Sequence, residues 1–285
     1  MLVFGLWLLP RGRSARIGIH EEATMAFDER AAIDHFWDAR GRGEYFPTDW
    51  YNRLNIEQAY RVQLGVVARR VAAGEQQVGW KIGMTSEAMQ RQFGFHEPVF
   101  GCLMAGGLQQ SGHVFAAGEL IRPGFESEVC VRLRESLSGR VDIAEARHAV
   151  EVCYPALEVI ETRGDLVAQM ALALADNAQQ KAFVLGEPVS LPDHLRLAEV
   201  EASVAVNGAE VARALGAVVL GDPLNSVVWL AGKLVDFGLT LRAGDLIMTG
   251  SFTRQFPLAS GDRVRAEFEG LGSVEVSVAP EQGGE

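Results

Sequence analysis

Cysteine is scarce in this chain. Only Cys102, Cys130 and Cys153 occur among 285 residues, too few for a disulfide framework and without the short paired spacing of a zinc or redox site. A reducing cytoplasm is the expected compartment. Basic residues are also in deficit: 26 Lys and Arg against 37 Asp and Glu leave a net charge of -11, which disfavours nucleic acid phosphates and anionic membranes. Several chemistry-bearing patterns are missing as well. Gly270-Leu271-Gly272 and the other glycine-rich stretches lack the spacing that cradles a nucleotide phosphate. No Gly-x-Ser-x-Gly elbow supports a serine hydrolase, and the six histidines are scattered without a His-Glu-x-x-His spacing. Internal repeats, heptads and low-complexity tracts are absent too. What remains is an ordinary globular composition, 48% apolar and 22% charged, in a chain long enough to bury a full core.

The first residues differ from the rest. Leu2 to Leu9 is a short apolar run whose arginines (Arg11, Arg13, Arg16) follow it, the reverse of a secretory signal, and it is too short to span a bilayer. Residues 1–24 therefore read as a disordered or spurious extension ahead of a second start at Met25, where Asp28 is placed to cap a helix running toward Ala39. From Asn55 the period is helical: Asn55 and Gln58 form a capping box, Tyr60, Leu64, Val67 and Val71 mark a core face, and Gly74 ends the helix. Apolar runs at Val78 to Met84, Ser127 to Leu133 and Leu157 to Ile160 predict strands, and Leu166 to Leu174 a helix. Asn207-Gly208 between valines predicts a type I′ hairpin. Asp222-Pro223 opens another helix, with Leu224, Val227, Val228, Ala231, Leu234 and Val235 on its inner side. Further strands follow at 246–248, 264–268 and 274–278. The expected fold is α+β: a helical N-terminal cap over residues 25–75 and a mixed, β-rich core over 76–280, without a clear linker between them.

The chemistry gathers in three places. Glu126 and Glu128, two apart in Phe125-Glu126-Ser127-Glu128-Val129, would leave one face of a strand side by side. In so apolar a run they repel and lose hydration, so one is protonated unless a cation lies between them. Glu158, in Ala156-Leu157-Glu158-Val159-Ile160, has a still less polar setting. Three oxygen donors without His or Cys suit Mg²⁺ or Mn²⁺. The competing reading puts Glu126 and Glu128 on the solvent side of an edge strand and pairs Glu158 with an arginine such as Arg163. Lys81, within Val78-Gly79-Trp80-Lys81-Ile82-Gly83, is either a desolvated acid or base near such a site or a stem packed along a sheet with its ammonium in water. Asp176-Asn177 either binds a ligand or caps a helix end.

Taken in order, Gly79-Trp80-Lys81-Ile82-Gly83, Glu97-Pro98-Val99-Phe100-Gly101, Glu126-Ser127-Glu128, Pro155 to Arg163, Ala175-Asp176-Asn177-Ala178 and Thr249-Gly250-Ser251 resemble the 2-keto-4-pentenoate hydratase and 4-oxalocrotonate decarboxylase group of the fumarylacetoacetate hydrolase superfamily, from about Asn55 to Val278. The resemblance implies a divalent metal, Mg²⁺ or Mn²⁺, held by Glu126, Glu128 and Glu158, with Lys81 as the catalytic lysine and a substrate whose C1 carboxylate and C2 oxygen chelate the ion. Asp176, Asn177, Ser251 and Arg254 fall at substrate-binding positions, Arg254 suiting a distal carboxylate. The group also implies a homo-oligomer, association with a downstream aldolase, and a role in the breakdown of aromatic compounds. Val99 stands where many of these hydratases carry an aspartate, and Gln179-Gln180 where small serines are common. The leading expectation is hydration of a 2-hydroxy-2,4-dienoate to a 4-hydroxy-2-oxo acid. Its rivals are decarboxylation of a 2-oxo-enedioate, C–C hydrolysis of an acylpyruvate, for which His96-Glu97 are poorly spaced, and a silent oxo-acid binder.

Overall fold

A computed structural model describes residues 27–281 apart from 87, 88, 92 and 93; the expectation for residues 1–24 lies outside the described residues. Two helices come first, α1 (Glu29–Gly41) and α2 (Ile56–Ala72). Asp28 caps α1 by accepting from the Ala31 N–H, and Asn55 and Gln58 close the expected capping box on α2. The buried face of α2 is nevertheless rotated from the expected one. Ala59, Tyr60, Val62, Gln63, Val66 and Val67 are covered, whereas Val71 is 46% exposed, because α2 packs between α1 and the short helix Met170–Ala175 through neighbouring sides.

The strands are β1 (Gln77–Gly83), β2 (Val99–Met104), β3 (Leu108–Gln110), β4 (His113–Phe115), β5 (Pro123–Leu133), β6 (Val150–Glu161), β7 (Gln180–Leu185), β8 (Glu201–Val206), β9 (Ala209–Leu215), β10 (Leu246–Ser251), β11 (Phe256–Pro257), β12 (Arg263–Phe268) and β13 (Gly272–Val278). Between them lie α3 (Ile143–Ala149), α4 (Met170–Ala175) and α5 (Pro223–Val235). Helix α4 starts later than the apolar run at Leu166 suggested, since Asp165 caps a separate turn by accepting from the Ala168 N–H. The hairpin at Asn207-Gly208 forms as expected, both residues having positive φ (53° and 83°) between β8 and β9. On α5, Asp222 accepts from the Leu224 N–H, and Val235 is half exposed rather than inward.

The larger sheet has eight strands, in the order β2-β1-β10-β5-β6-β7-β3 with β11 on β5; the smaller runs β4-β13-β12-β8-β9. Strands β2 and β3 end the larger sheet on opposite sides, yet only residues 105–107 join them. The sheet therefore curls into a roll whose ends meet. One of its faces shares a core with the smaller sheet and the helices, through residues such as Val129, Val131, Leu157, Val159, Val264, Val274 and Leu230. The inner face carries a second cluster, Leu103, Cys130, Tyr154, Ala156, Phe183, Leu185, Leu246 and Met248. Burial of both faces explains why β5 and β6 read as near-continuous apolar runs.

Candidate active site

The inner face of the roll also carries the acidic residues. Register places Glu126 directly opposite Glu158 on neighbouring strands, where facing Cβ atoms lie about 5 Å apart, and Glu128 follows Glu126 two residues along the same face. One carboxylate oxygen from each of Glu126, Glu128 and Glu158 lies within 4.8 Å of the others. Glu128 and Glu158 are fully buried and Glu126 is half-buried. The edge-strand reading fails here, because β5 lies between β10 and β6. Arg163 does not reach Glu158; it pairs with Glu161 and Asp176.

Lys81 closes the group. Its Nζ donates to Glu158 Oε2 at 3.2 Å, and the side chain is buried rather than reaching water. Two glycines stand beside it. A Cβ at Gly83 would lie 3.6 Å from Lys81 Nζ, and one at Gly101, opposite Lys81 on β2, would lie 3.4 Å from Lys81 Cγ. Gly250 supplies another missing piece, donating its N–H to Glu128 Oε2 at 2.8 Å. Its φ of +113° and the crowding of any Cβ there against Thr85, 2.5 Å away, leave the position to glycine. None of these glycine roles was assigned from sequence; glycines interrupting strand-like runs were the available signal.

One lysine does not neutralise three carboxylates. Burial raises the Glu126 carboxyl to about 7, with the charge of Glu158 adding to it. Burial also pushes Glu128 well up, reinforced by both neighbours and opposed by the Gly250 N–H, and it raises Glu158 against the pull of Lys81. Lys81 is itself raised: burial acts against its charge, but Glu158, Glu126 and Glu128 outweigh it. Glu128 Oε1 and Glu158 Oε1 are buried without a hydrogen-bond partner, a costly state for a carboxylate oxygen. Three hard oxygen donors, two of them with an unused oxygen, fit a divalent cation of the magnesium or manganese type.

The other sequence candidates occupy different surroundings. Asp176 is buried and held by Arg163, Nε to Oδ2 at 2.5 Å, with burial raising its carboxyl to about 6 against that pull. Asn177 spends its amide on the main chain of β2, accepting from the Cys102 N–H at 2.7 Å and donating to the Cys102 carbonyl at 2.8 Å. Ser251, paired in register with Glu128, donates to the Thr253 carbonyl. Arg254 is exposed, its guanidinium 4.1 Å from the Phe256 ring centre. Val99 is buried, with its Cγ2 3.5 Å from the point a Gly83 Cβ would occupy, so it approaches Gly83 from the same face as Lys81 Nζ. His96 and Glu97 are exposed, and Glu97 pairs with Lys233, an arrangement that gives the hydrolase dyad no support.

Residues 108–279 match the sequence profile of the fumarylacetoacetate (FAA) hydrolase C-terminal family. Over 236 residues, 80% of this chain and 88% of the relative, the chain is 33% identical to a 2-hydroxyhexa-2,4-dienoate hydratase of Comamonas testosteroni. It is 37% identical to 2-keto-4-pentenoate hydratase 1 of Dechloromonas aromatica strain RCB, over 76% of this chain and 84% of that one. Among solved structures, 4-oxalocrotonate decarboxylase from Pseudomonas putida G7, complexed with magnesium and adipate, superposes with a TM-score of 0.80 at 31% identity, covering 88% of this chain and 97% of the other.

Proposed function

Because the chain belongs to the fumarylacetoacetate hydrolase family, we propose that Glu126, Glu128 and Glu158 hold Mg²⁺ or Mn²⁺ and that the protein is a hydratase converting a 2-hydroxy-2,4-dienoate to a 4-hydroxy-2-oxo acid. The observation that carries the reading is the buried carboxylate triad with two partnerless oxygens and a single lysine against it. Its hydratase relatives, 33% and 37% identical over most of the chain, support the reaction class.

A divalent cation at the triad supplies a Lewis acid for the oxygens of a 2-oxo or 2-hydroxy acid. The protein's own residues do the rest. Gly250 fixes the rotamer of Glu128, and Glu158 orients the Lys81 ammonium. Lys81 Nζ is the cationic proton carrier at the triad; it delivers a proton to C5 of the dienol while the 2-hydroxyl gives up its own, which restores the ammonium, and it then holds the water whose hydroxyl adds at C4 as its proton goes to C3. Leu103, Phe183 and Met248 line the same face and keep solvent away from the carboxylates from below. Arg254, exposed on the segment after Ser251, supplies a cation for a second carboxylate on a longer substrate.

Decarboxylation of a 2-oxo-enedioate is the second reading, and Val99 favours it. A buried valine beside the lysine leaves no carboxylate there to activate water. The two are separated by supplying 2-hydroxypenta-2,4-dienoate and 4-oxalocrotonate in turn with Mg²⁺. Formation of 4-hydroxy-2-oxopentanoate from the first supports hydration, and CO₂ release from the second with the first left unconsumed supports decarboxylation.

A further inference from the structure

We propose that Asn177 is a positioning residue for Lys81, acting through the free edge of β2; the inference rests on Lys81 working at the carboxylate triad as described above. Strand β2 ends its sheet, so the outward main-chain groups of Phe100 and Cys102 have no strand partner. Side chains replace one. The Phe100 N–H donates to the Tyr60 hydroxyl at 3.2 Å, and its carbonyl accepts from Gln63 Nε2 at 3.3 Å. Asn177 then takes both groups of Cys102, the residue beyond, at 2.7 and 2.8 Å, in the manner of a neighbouring strand.

Between those two anchored residues lies Gly101, the register partner of Lys81. A Cβ at Gly101 would stand 3.0 Å from the Asn177 carbonyl oxygen, 3.3 Å from its Oδ1 and 3.4 Å from Lys81 Cγ. The lysine stem, the glycine and the Asn177 main chain therefore converge on one point, and Asn177 forms a wall for the stem. The wall is itself held. Asn177, Ala178 and Gln179 all have positive φ, 56°, 50° and 61°, a run that asparagine tolerates better than most residues. Immediately before it, Arg163 binds the Asp176 carboxylate and carbonyl and also Glu161, the last residue of β6. Strand β6 carries Glu158, so the same arginine ties the acceptor of the lysine proton to the loop that confines the lysine.

Removing the Asn177 amide frees the β2 edge and lets the lysine stem move, while the three glutamates on β5 and β6 keep their places. A displacement of about 1 Å at a catalytic group costs on the order of 100-fold in rate. The test is a double-mutant cycle on 2-hydroxypenta-2,4-dienoate turnover with Mn²⁺, using Asn177→Gly, which keeps the left-handed backbone, Lys81→Met, and the two combined. Mn²⁺ affinity is measured on each by titration. The expected result is a fall in kcat of about 100-fold for Asn177→Gly, with KM and Mn²⁺ affinity nearly unchanged and no further loss when the change is made in the Lys81→Met background. Equal losses in both backgrounds, or a loss confined to KM or to Mn²⁺ affinity, would overturn the proposal. Full turnover by Lys81→Met alone would overturn the role of Lys81 first, and this inference with it. Asn177→Asp keeps the acceptor for the Cys102 N–H but turns the donor into an oxygen facing the Cys102 carbonyl, and it runs the same cycle should the glycine variant fail to fold.

Discussion

Lys81 stands against the carboxylate triad. Its ammonium is held by Glu158 at 3.2 Å, with Gly83 and Gly101 beside the side chain, so its removal is expected to lower kcat by about 100- to 10,000-fold, the usual span for a positioned acid or base. Steady-state kinetics of Lys81→Met, with Mn²⁺ affinity measured in parallel, checks this. Arg254 has a different role, since it is exposed and rests on Phe256. Arg254→Ala is expected to raise KM about tenfold for a dicarboxylate substrate, the loss of one charge-assisted hydrogen bond, and to leave a monocarboxylate unaffected. The glutamates themselves make the metal-free protein sensitive to alkali. Glu126 is raised from 4.5 to about 7 by burial and by Glu158, so the folded state holds a proton that the unfolded chain releases. That contribution to stability is complete below pH 4.5 and is lost as the pH rises through about 7. Thermal melts of EDTA-treated protein are expected to show Tm falling over this interval. Saturating Mn²⁺, which displaces those protons, is expected to abolish the fall, and apparent Mn²⁺ affinity is expected to rise with pH over the same range.

At the level of elements, what could be read from the chain was local. The Asn55–Gln58 capping box, the Asn207-Gly208 hairpin and the Pro223 helix start are each fixed by residues within a turn of one another, and each is present. Asn55→Ala is therefore expected to cost about 1 kcal/mol by loss of the α2 cap, measured by urea unfolding with an unchanged m-value. Glu126 and Glu128 could be paired from the two-residue period of a strand alone. Their meeting with Glu158 could not, because it depends on the β5–β6 register, which is set across the stretch 134–149 that includes α3. Arg163 illustrates the same limit. Its partners, Asp176 and Glu161, lie 13 and two residues away, and only the folded chain selects them over Glu158. The outward turn of Val71 follows from where α1 packs, which no helical period records.

At the scale of the whole molecule, the larger sheet is a roll closed at a seam, and the candidate site lies on its inner face. Residues 105–107 join the two ends of the larger sheet, and Tyr60, Gln63 and Asn177 complete the open edge of β2. Closing the roll brings the apolar floor, the carboxylates of β5 and β6 and the lysine of β1 to one interior. This interior is expected to hydrate a dienol with the help of a divalent ion. That expectation is tested most directly by following the ultraviolet absorbance of 2-hydroxypenta-2,4-dienoate with purified protein in Mg²⁺ and in EDTA, corrected for spontaneous ketonisation. Rapid decay with Mg²⁺, none with EDTA, and 4-hydroxy-2-oxopentanoate as the product are expected. Decay no faster than the spontaneous rate, in protein shown to have Mg²⁺ bound, would contradict it.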